Sequence, residues 1–267
     1  VSIGFIDSGV GGLTVLHECL VSLPQEDFLY IGDSGHFPYG TKTPEELRER
    51  ARLITGVLLG QGVKMIVVAC NSATSAAGDL IRETAAGADV PVVTVIGPEA
   101  EIAAAITESG RVGVLATPAT VSSGAYHRAL ESQGRPLTVT EVPAPDLAPI
   151  IQEGFPFDQG VMDTVRGYCE PLKQAEVDTL ILGCTHYPLV APMLQRFLGR
   201  DVRLVTAGHA IAAAVQRTLA ERDRLETGEG EGGYRFLVTG DVDSFTELGT
   251  RFLQLPLAGR VEALRYA

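Results

Sequence analysis

Two of the four cysteines in this 267-residue chain are followed at once by polar, reactive neighbours: Cys70-Asn71-Ser72 and Cys184-Thr185-His186. Cys19 and Cys169 lie inside amphipathic stretches without such company and read as core thiols. A hydroxyl, an amide or an imidazole beside a thiol suits a polar pocket, where three chemistries are open. Nucleophilic attack with His186 as base needs one cysteine and leaves the second unexplained. Zinc binding would call for Cys-x-x-Cys or His-x-x-x-His spacings, and the chain has neither. Proton transfer uses both, because a thiol with a pKa of about 8.5 needs little adjustment to act as acid or base near neutrality. Two thiols on opposite sides of one tetrahedral carbon would invert it, one removing a proton while the other delivers one.

Inversion involves no net redox change and connects species of equal free energy, so no cofactor is expected. A pyridoxal phosphate route would need a Schiff-base lysine. Lys42, Lys64 and Lys173 are the only lysines, and none ends an expected strand.

Further candidates surround the thiols. Asp7-Ser8-Gly9-Val10-Gly11-Gly12-Leu13-Thr14 joins a strand to a helix, with glycines that let the backbone approach a ligand and free N–H groups that suit an anion. A dinucleotide fingerprint would need Gly where Thr14 stands, and no Gly-Lys-Ser/Thr follows for a phosphate loop. Pro38-Tyr39-Gly40 forms a rigid turn able to offer a backbone N–H and a phenol, and Thr117-Pro118-Ala119-Thr120 opens a helix. Together with Asn71, Ser72 and Thr185 these make a donor-rich surface fit for a small dicarboxylate zwitterion. His17, His127 and His209 read as helix or turn residues.

The elements that must position these groups alternate short β-branched runs with longer amphipathic stretches, the pattern of a parallel sheet covered by helices. Strands are expected at 3–7, 28–32, 65–70, 92–96, 111–116, 137–142, 179–183, 202–205 and 235–239, with helices including 44–59, 99–107, 121–132, 158–174 and 210–222. The consecutive apolar positions in Val67-Val68-Ala69 and Leu180-Ile181-Leu182 fit strands buried on both faces. The strand-Cys-polar pattern recurs, as do the opening Ile3-Gly4-Phe5-Ile6-Asp7 in Val112–Thr117 and Val93–Ile96 in Leu204–Ala207, each roughly 110 residues apart. The expected architecture is therefore α/β: two pseudo-symmetric domains with mostly parallel sheets, 1–96 plus 208–267 and 97–207, with the site in the cleft between them. Ligands of such sheets bind beyond the carboxyl ends of the strands, where Asp7, Cys70, Thr117 and Cys184 fall.

A net charge of −12 and a pI near 4.9 argue against a nucleic-acid backbone or an anionic membrane as partner. Hydrophobic residues at 45% support an ordinary core, no apolar run is long enough to span a bilayer, and the opening residues lack the basic segment of a signal peptide. Four scattered cysteines do not form a disulfide framework, so a reducing cytoplasm is expected. The glycine-rich stretch 228–233 reads as a loop without chemistry.

These motifs, with Leu182-Gly183-Cys184-Thr185-His186-Tyr187-Pro188-Leu189 the most specific, resemble the glutamate racemases of the cofactor-independent aspartate/glutamate racemase family over essentially the whole chain. Aspartate racemases typically follow the second cysteine with Thr-Glu, so His186 favours glutamate. The resemblance implies that Cys70 exchanges the α-proton on the D face and Cys184 on the L face, assisted by Asp7 and His186, with a further acidic residue at Glu153. It also implies substrate contacts at Ser8, Tyr39, Gly40, Asn71, Ser72, Thr117, Thr120, Thr185 and His186, no metal, a cell-wall role through D-glutamate, and a second copy of the chain as partner. Ser72 stands where the family usually has Thr, which keeps the hydroxyl and loses a methyl.

Overall fold

The computed structural model describes residues 1–154, 158–228 and 230–265, so Glu229 of the glycine-rich stretch lies outside the described residues. The chain opens with β1 (Ile3–Asp7), α1 (Leu13–Ser22), β2 (Phe28–Gly32), α2 (Pro44–Gly60), β3 (Met65–Val68), α3 (Asn71–Ala86) and β4 (Val92–Thr94). Helix α4 (Ile96–Ile106) leads into a second run of β5 (Arg111–Ala116), α5 (Pro118–Ser122), α6 (Ala125–Glu131), β6 (Thr138–Pro143), α7 (Leu147–Gln152), α8 (Gln159–Gln174), β7 (Thr179–Gly183), α9 (Ala191–Leu198) and β8 (Arg203–Val205). Helix α10 (Ala207–Glu221) returns to the first run, which ends with β9 (Tyr234–Val238), α11 (Val242–Leu253) and β10 (Val261–Ala263).

Every strand pairing among the described residues is parallel, in a six-stranded sheet ordered β10-β9-β2-β1-β3-β4 and a four-stranded sheet ordered β6-β5-β7-β8. The order 2-1-3-4 in the first sheet is repeated as 6-5-7-8 in the second. β3 therefore corresponds to β7, and β1 to β5, which is the relation the internal echoes imply. Strands β1, β2, β3 and β7 are buried along their whole length, as uninterrupted apolar runs require. One core cluster runs through both sheets, joining Phe5 and Leu16 to Val95, Leu182, Ile211 and Val215. No helix among the described residues is long and apolar enough to cross a membrane.

Local chemistry sets the helix starts. Thr43 and Glu46 form a reciprocal capping box on α2, with Pro44 at its first turn. Thr117 caps α5 ahead of Pro118, and Asp158 caps α8. Three expectations shift. The strand expected at 65–70 ends at Val68, because Cys70 already caps α3, and the one expected at 92–96 ends at Thr94, because Ile96 opens α4. The single helix expected at 121–132 is two, α5 and α6, parted by Gly124 at a φ of 64°. Strand β10 carries no signal of its own and exists by pairing with β9.

Candidate active site

Cys70 sits at the N-terminus of α3, where its sulfur accepts a hydrogen bond from the Ala73 N–H at 3.4 Å. Backbone donors at such a position favour a thiolate, yet burial outweighs them. Desolvation first, then the Asp7 charge, pushes the Cys70 thiol up to about 12, against the pull of N–H groups and the Ser8 hydroxyl. Cys184 follows β7 in a tight turn closed by its own N–H to Leu182 O at 2.9 Å and by Tyr187 N–H to Cys184 O at 3.1 Å. Burial raises its pKa as well, with the charges of Cys70, Asp7 and Glu99 adding to the rise.

Both thiols line one cavity of about 20 Å³, together with Ser8, Tyr39, Gly40, Asn71, Ser72, Thr117, Thr185 and His186. That is room for about one water molecule, so the two cysteines border a very small common space. A larger cavity of about 110 Å³ lies behind it, lined by Thr14, Glu18, Glu99 and Thr206 and sharing Asn71, Cys184 and Thr185 as its wall.

The two halves of the molecule are tied together at this point. Ser72 and Thr117 hydroxyls are 2.9 Å apart, with Thr117 donating to Thr120 behind it at 3.1 Å. Thr185 donates to Asp7 Oδ1 at 3.5 Å, while Thr14 donates to the Thr185 carbonyl at 3.2 Å. Asp7 is fully buried and accepts from the Gly9 N–H at 3.0 Å, and desolvation holds its carboxyl above the usual range. The glycine loop allows this crowding, since a Cβ on Gly11 would lie 2.3 Å from Thr185 Oγ1 and 2.5 Å from His186 Nδ1. Likewise a Cβ on Gly40 would meet Thr117 Cβ at 2.6 Å.

His186 Nδ1 lies 3.9 Å from Cys184 Sγ and Nε2 lies 3.1 Å from Gln152 Oε1. Burial pushes the imidazole down to about 4, so the ring is neutral at neutral pH. Asn71 donates both amide hydrogens, to Glu99 Oε2 at 3.0 Å and to the Tyr126 hydroxyl at 2.7 Å, and Tyr126 in turn donates to Glu99. Its remaining polar atom is the acceptor Oδ1. Glu99 is fully buried, and burial raises its pKa to about 8.

The sequence profile of the Asp/Glu/Hydantoin racemase family matches residues 8–215. A glutamate racemase from Mycobacterium tuberculosis is 43% identical over 258 residues, covering 96% of this chain and 94% of that protein. The chain belongs to the Asp/Glu/Hydantoin racemase family. Among solved structures, a glutamate racemase from Bacillus anthracis superposes with a TM-score of 0.93 at 34% identity, covering 99% of this chain and 97% of that one. One from Francisella tularensis, in complex with D-glutamate, gives 0.92 at 32% identity with the same coverage.

Within this racemase-family fold, ten of the expected residues meet at the cavity, while Asp7 and Thr120 are buried one layer behind it. The Tyr39 hydroxyl donates to Asp33 at 2.6 Å, so Tyr39 lines the cavity with that hydroxyl already engaged. Glu153 is exposed at the C-cap of α7 and does not reach the cavity, and the preceding residue, Gln152, is the one against His186. Sequence reasoning also passed over Asp33, which anchors the Tyr39 turn. Asp33 accepts from Arg50 at 2.8 and 2.9 Å and from Thr239 at 2.6 Å, and although burial opposes it, these bonds hold its carboxyl below the usual range. The Phe37–Pro38 peptide in that turn is cis. Glu99 and Tyr126 carried no signal either, since each looks like an ordinary helix residue until its partners are known. Cys19 and Cys169 are fully buried core thiols, as their surroundings in the sequence imply.

Proposed function

We propose that this chain is an isomerase that interconverts L- and D-glutamate by 1,1-proton transfer at Cα, with Cys70 and Cys184 as the two bases. The observation that carries the reading is that two thiols, from the ends of equivalent strands in different sheets, line one cavity. In one direction the Cys184 thiolate takes the α-proton from the L face, and the Cys70 thiol gives its own proton to the opposite face. The turnover ends with Cys184 as thiol and Cys70 as thiolate, and the reverse reaction starts from that state. Burial makes each thiolate a strong base once formed, which abstraction from carbon demands. His186, with Nδ1 3.9 Å from the sulfur, assists Cys184, and Asp7 assists Cys70. The ammonium group of the substrate adds a positive charge that favours the thiolate.

Several features support glutamate as the substrate. The relatives at 43% identity are named glutamate racemases, and Thr185-His186 follows the second cysteine. A cavity of about 20 Å³ is too small for glutamate, so the halves formed by 1–96 plus 208–267 and by 97–207 part to admit it. Four buried free cysteines suit a reducing cytoplasm, where the D-glutamate would supply peptidoglycan. Pairing with a second copy of the chain is read by light scattering.

The decisive test is the optical activity of L-glutamate incubated with the protein. It should decay to zero, faster than that of L-aspartate, and Cys70→Ser or Cys184→Ser should each slow the decay by at least about a thousandfold. In deuterated water, early label should enter the product enantiomer. Persistent rotation with the wild type removes the proposal, and early label in recovered starting material removes the two-base form of it.

A further inference from the structure

We infer that Gln152 is a positioning residue that fixes the tautomer of His186, so that Nδ1 stays bare and faces the Cys184 thiol. The role of Cys184 rests on the racemase reading above, but the tautomer does not. The His186 ring is 1% exposed and packed between the rings of Phe37 and Phe252, each with its centroid 5.3 Å away. The Gly11 backbone lies against the same ring, close enough that no side chain fits between them. The imidazole thus has one orientation, with Nδ1 in contact with the Cys184 sulfur and Nε2 with the Gln152 side chain. An amide oxygen can only accept, so Nε2 carries the hydrogen it donates to Gln152 Oε1 at 3.1 Å. A neutral imidazole has a single N–H, and Nδ1, 3.9 Å from Cys184 Sγ, is therefore the acceptor.

The neutrality of the partner matters as much as its place. A carboxylate at position 152 would also accept from Nε2, but its charge would favour the imidazolium, in which both nitrogens are donors. The ring could not then accept a hydrogen bond from the Cys184 thiol. Gln152 is the final residue of α7 and half-buried, whereas the acidic Glu153 beside it faces solvent. The helix end thus turns an amide toward the imidazole and the carboxylate away from it.

The test uses the full chain labelled with 15N-histidine, the His186 signals being assigned by their loss in His186→Gln. In the wild type at neutral pH, Nε2 should be protonated and Nδ1 bare. Gln152→Leu should give a mixture of tautomers and lower kcat for glutamate by roughly tenfold, with KM within about twofold. Because the enantiomers have equal free energy, kcat/KM should fall by the same factor in both directions. Gln152→Glu should protonate both nitrogens at neutral pH and also lower kcat. Wild-type signals with the proton on Nδ1 overturn the inference. So does a tautomer change without a fall in kcat, or a fall in kcat without a tautomer change. A wild type that does not racemise glutamate would instead overturn the function while leaving the tautomer measurable.

Discussion

The buried triangle of Asn71, Glu99 and Tyr126 shows how single residues decide what the cavity offers to a ligand. An amide can present either a donor or an acceptor, and here both donors of Asn71 are consumed behind the cavity. The atom left over is Oδ1, suited to the ammonium of an amino acid rather than to its carboxylates. Tyr126→Phe removes one acceptor for Asn71 and one donor to Glu99 without altering shape. A single lost hydrogen bond of this kind is worth about 1 kcal/mol, so KM for glutamate should rise by roughly five- to tenfold while kcat changes less. Steady-state kinetics in both directions will read this. An unchanged KM would mean that the orientation of Asn71 does not matter for binding.

At the scale of elements, the turn from β1 into α1 has one essential property, the closeness with which its backbone approaches the turn after β7. That approach puts Thr185 against Asp7 and His186 against Gly11, joining the first sheet to the second at the site. Gly11→Ala would thrust a methyl to within 2.5 Å of His186 Nδ1 and still nearer Thr185 Oγ1. Either the loop or both side chains must move by about an ångström, and misplacement on that scale costs about a hundredfold in rate. We expect kcat/KM to fall by about that factor, with the far-ultraviolet circular dichroism spectrum unchanged. Activity within a few fold of wild type would show that the loop yields cheaply. The helix starts follow a simpler rule, since a residue just past the end of a strand caps the next helix, as Cys70 does for α3 and Thr117 for α5.

For the molecule as a whole, two buried groups bias stability with pH in opposite senses. His186 is lowered from 6.5 to about 4, so below pH 6.5 the unfolded chain binds a proton that the native state refuses. Its contribution is present above 6.5 and is lost as pH falls toward 4, by about 3 kcal/mol in all. Glu99 is raised from 4.5 to about 8, so its contribution is present below 4.5 and is lost as pH rises toward 8. Between pH 4.5 and 6.5 the two slopes oppose each other, and above 6.5 only that of Glu99 remains. Urea midpoints at pH 5, 6 and 7 should therefore separate the variants. Relative to wild type, Glu99→Gln should gain stability as pH rises across this range, and His186→Gln should lose relative stability from pH 5 to 6. Parallel curves for all three proteins would remove both groups from the pH response.

The sequence by itself determined which residues could do the chemistry and the repeated run of strands and helices that carries them. Strand alternation, caps and the cysteine echoes are local properties, written within a few residues of each feature. Cys70, Cys184 and the glycine loop were legible for that reason, as was the correspondence of β3 with β7. Gln152 against His186, Glu99 behind Asn71 and Asp33 beneath Tyr39 were not, because each pairing joins residues far apart in the chain or on different faces of one turn. A helix end shows one of two adjacent side chains to the core and the other to water, and only packing decided that the amide of Gln152 faces in and the carboxylate of Glu153 faces out. Tertiary structure also decided the protonation states, since burial, which no short stretch of sequence records, is what raises both thiols and keeps His186 neutral.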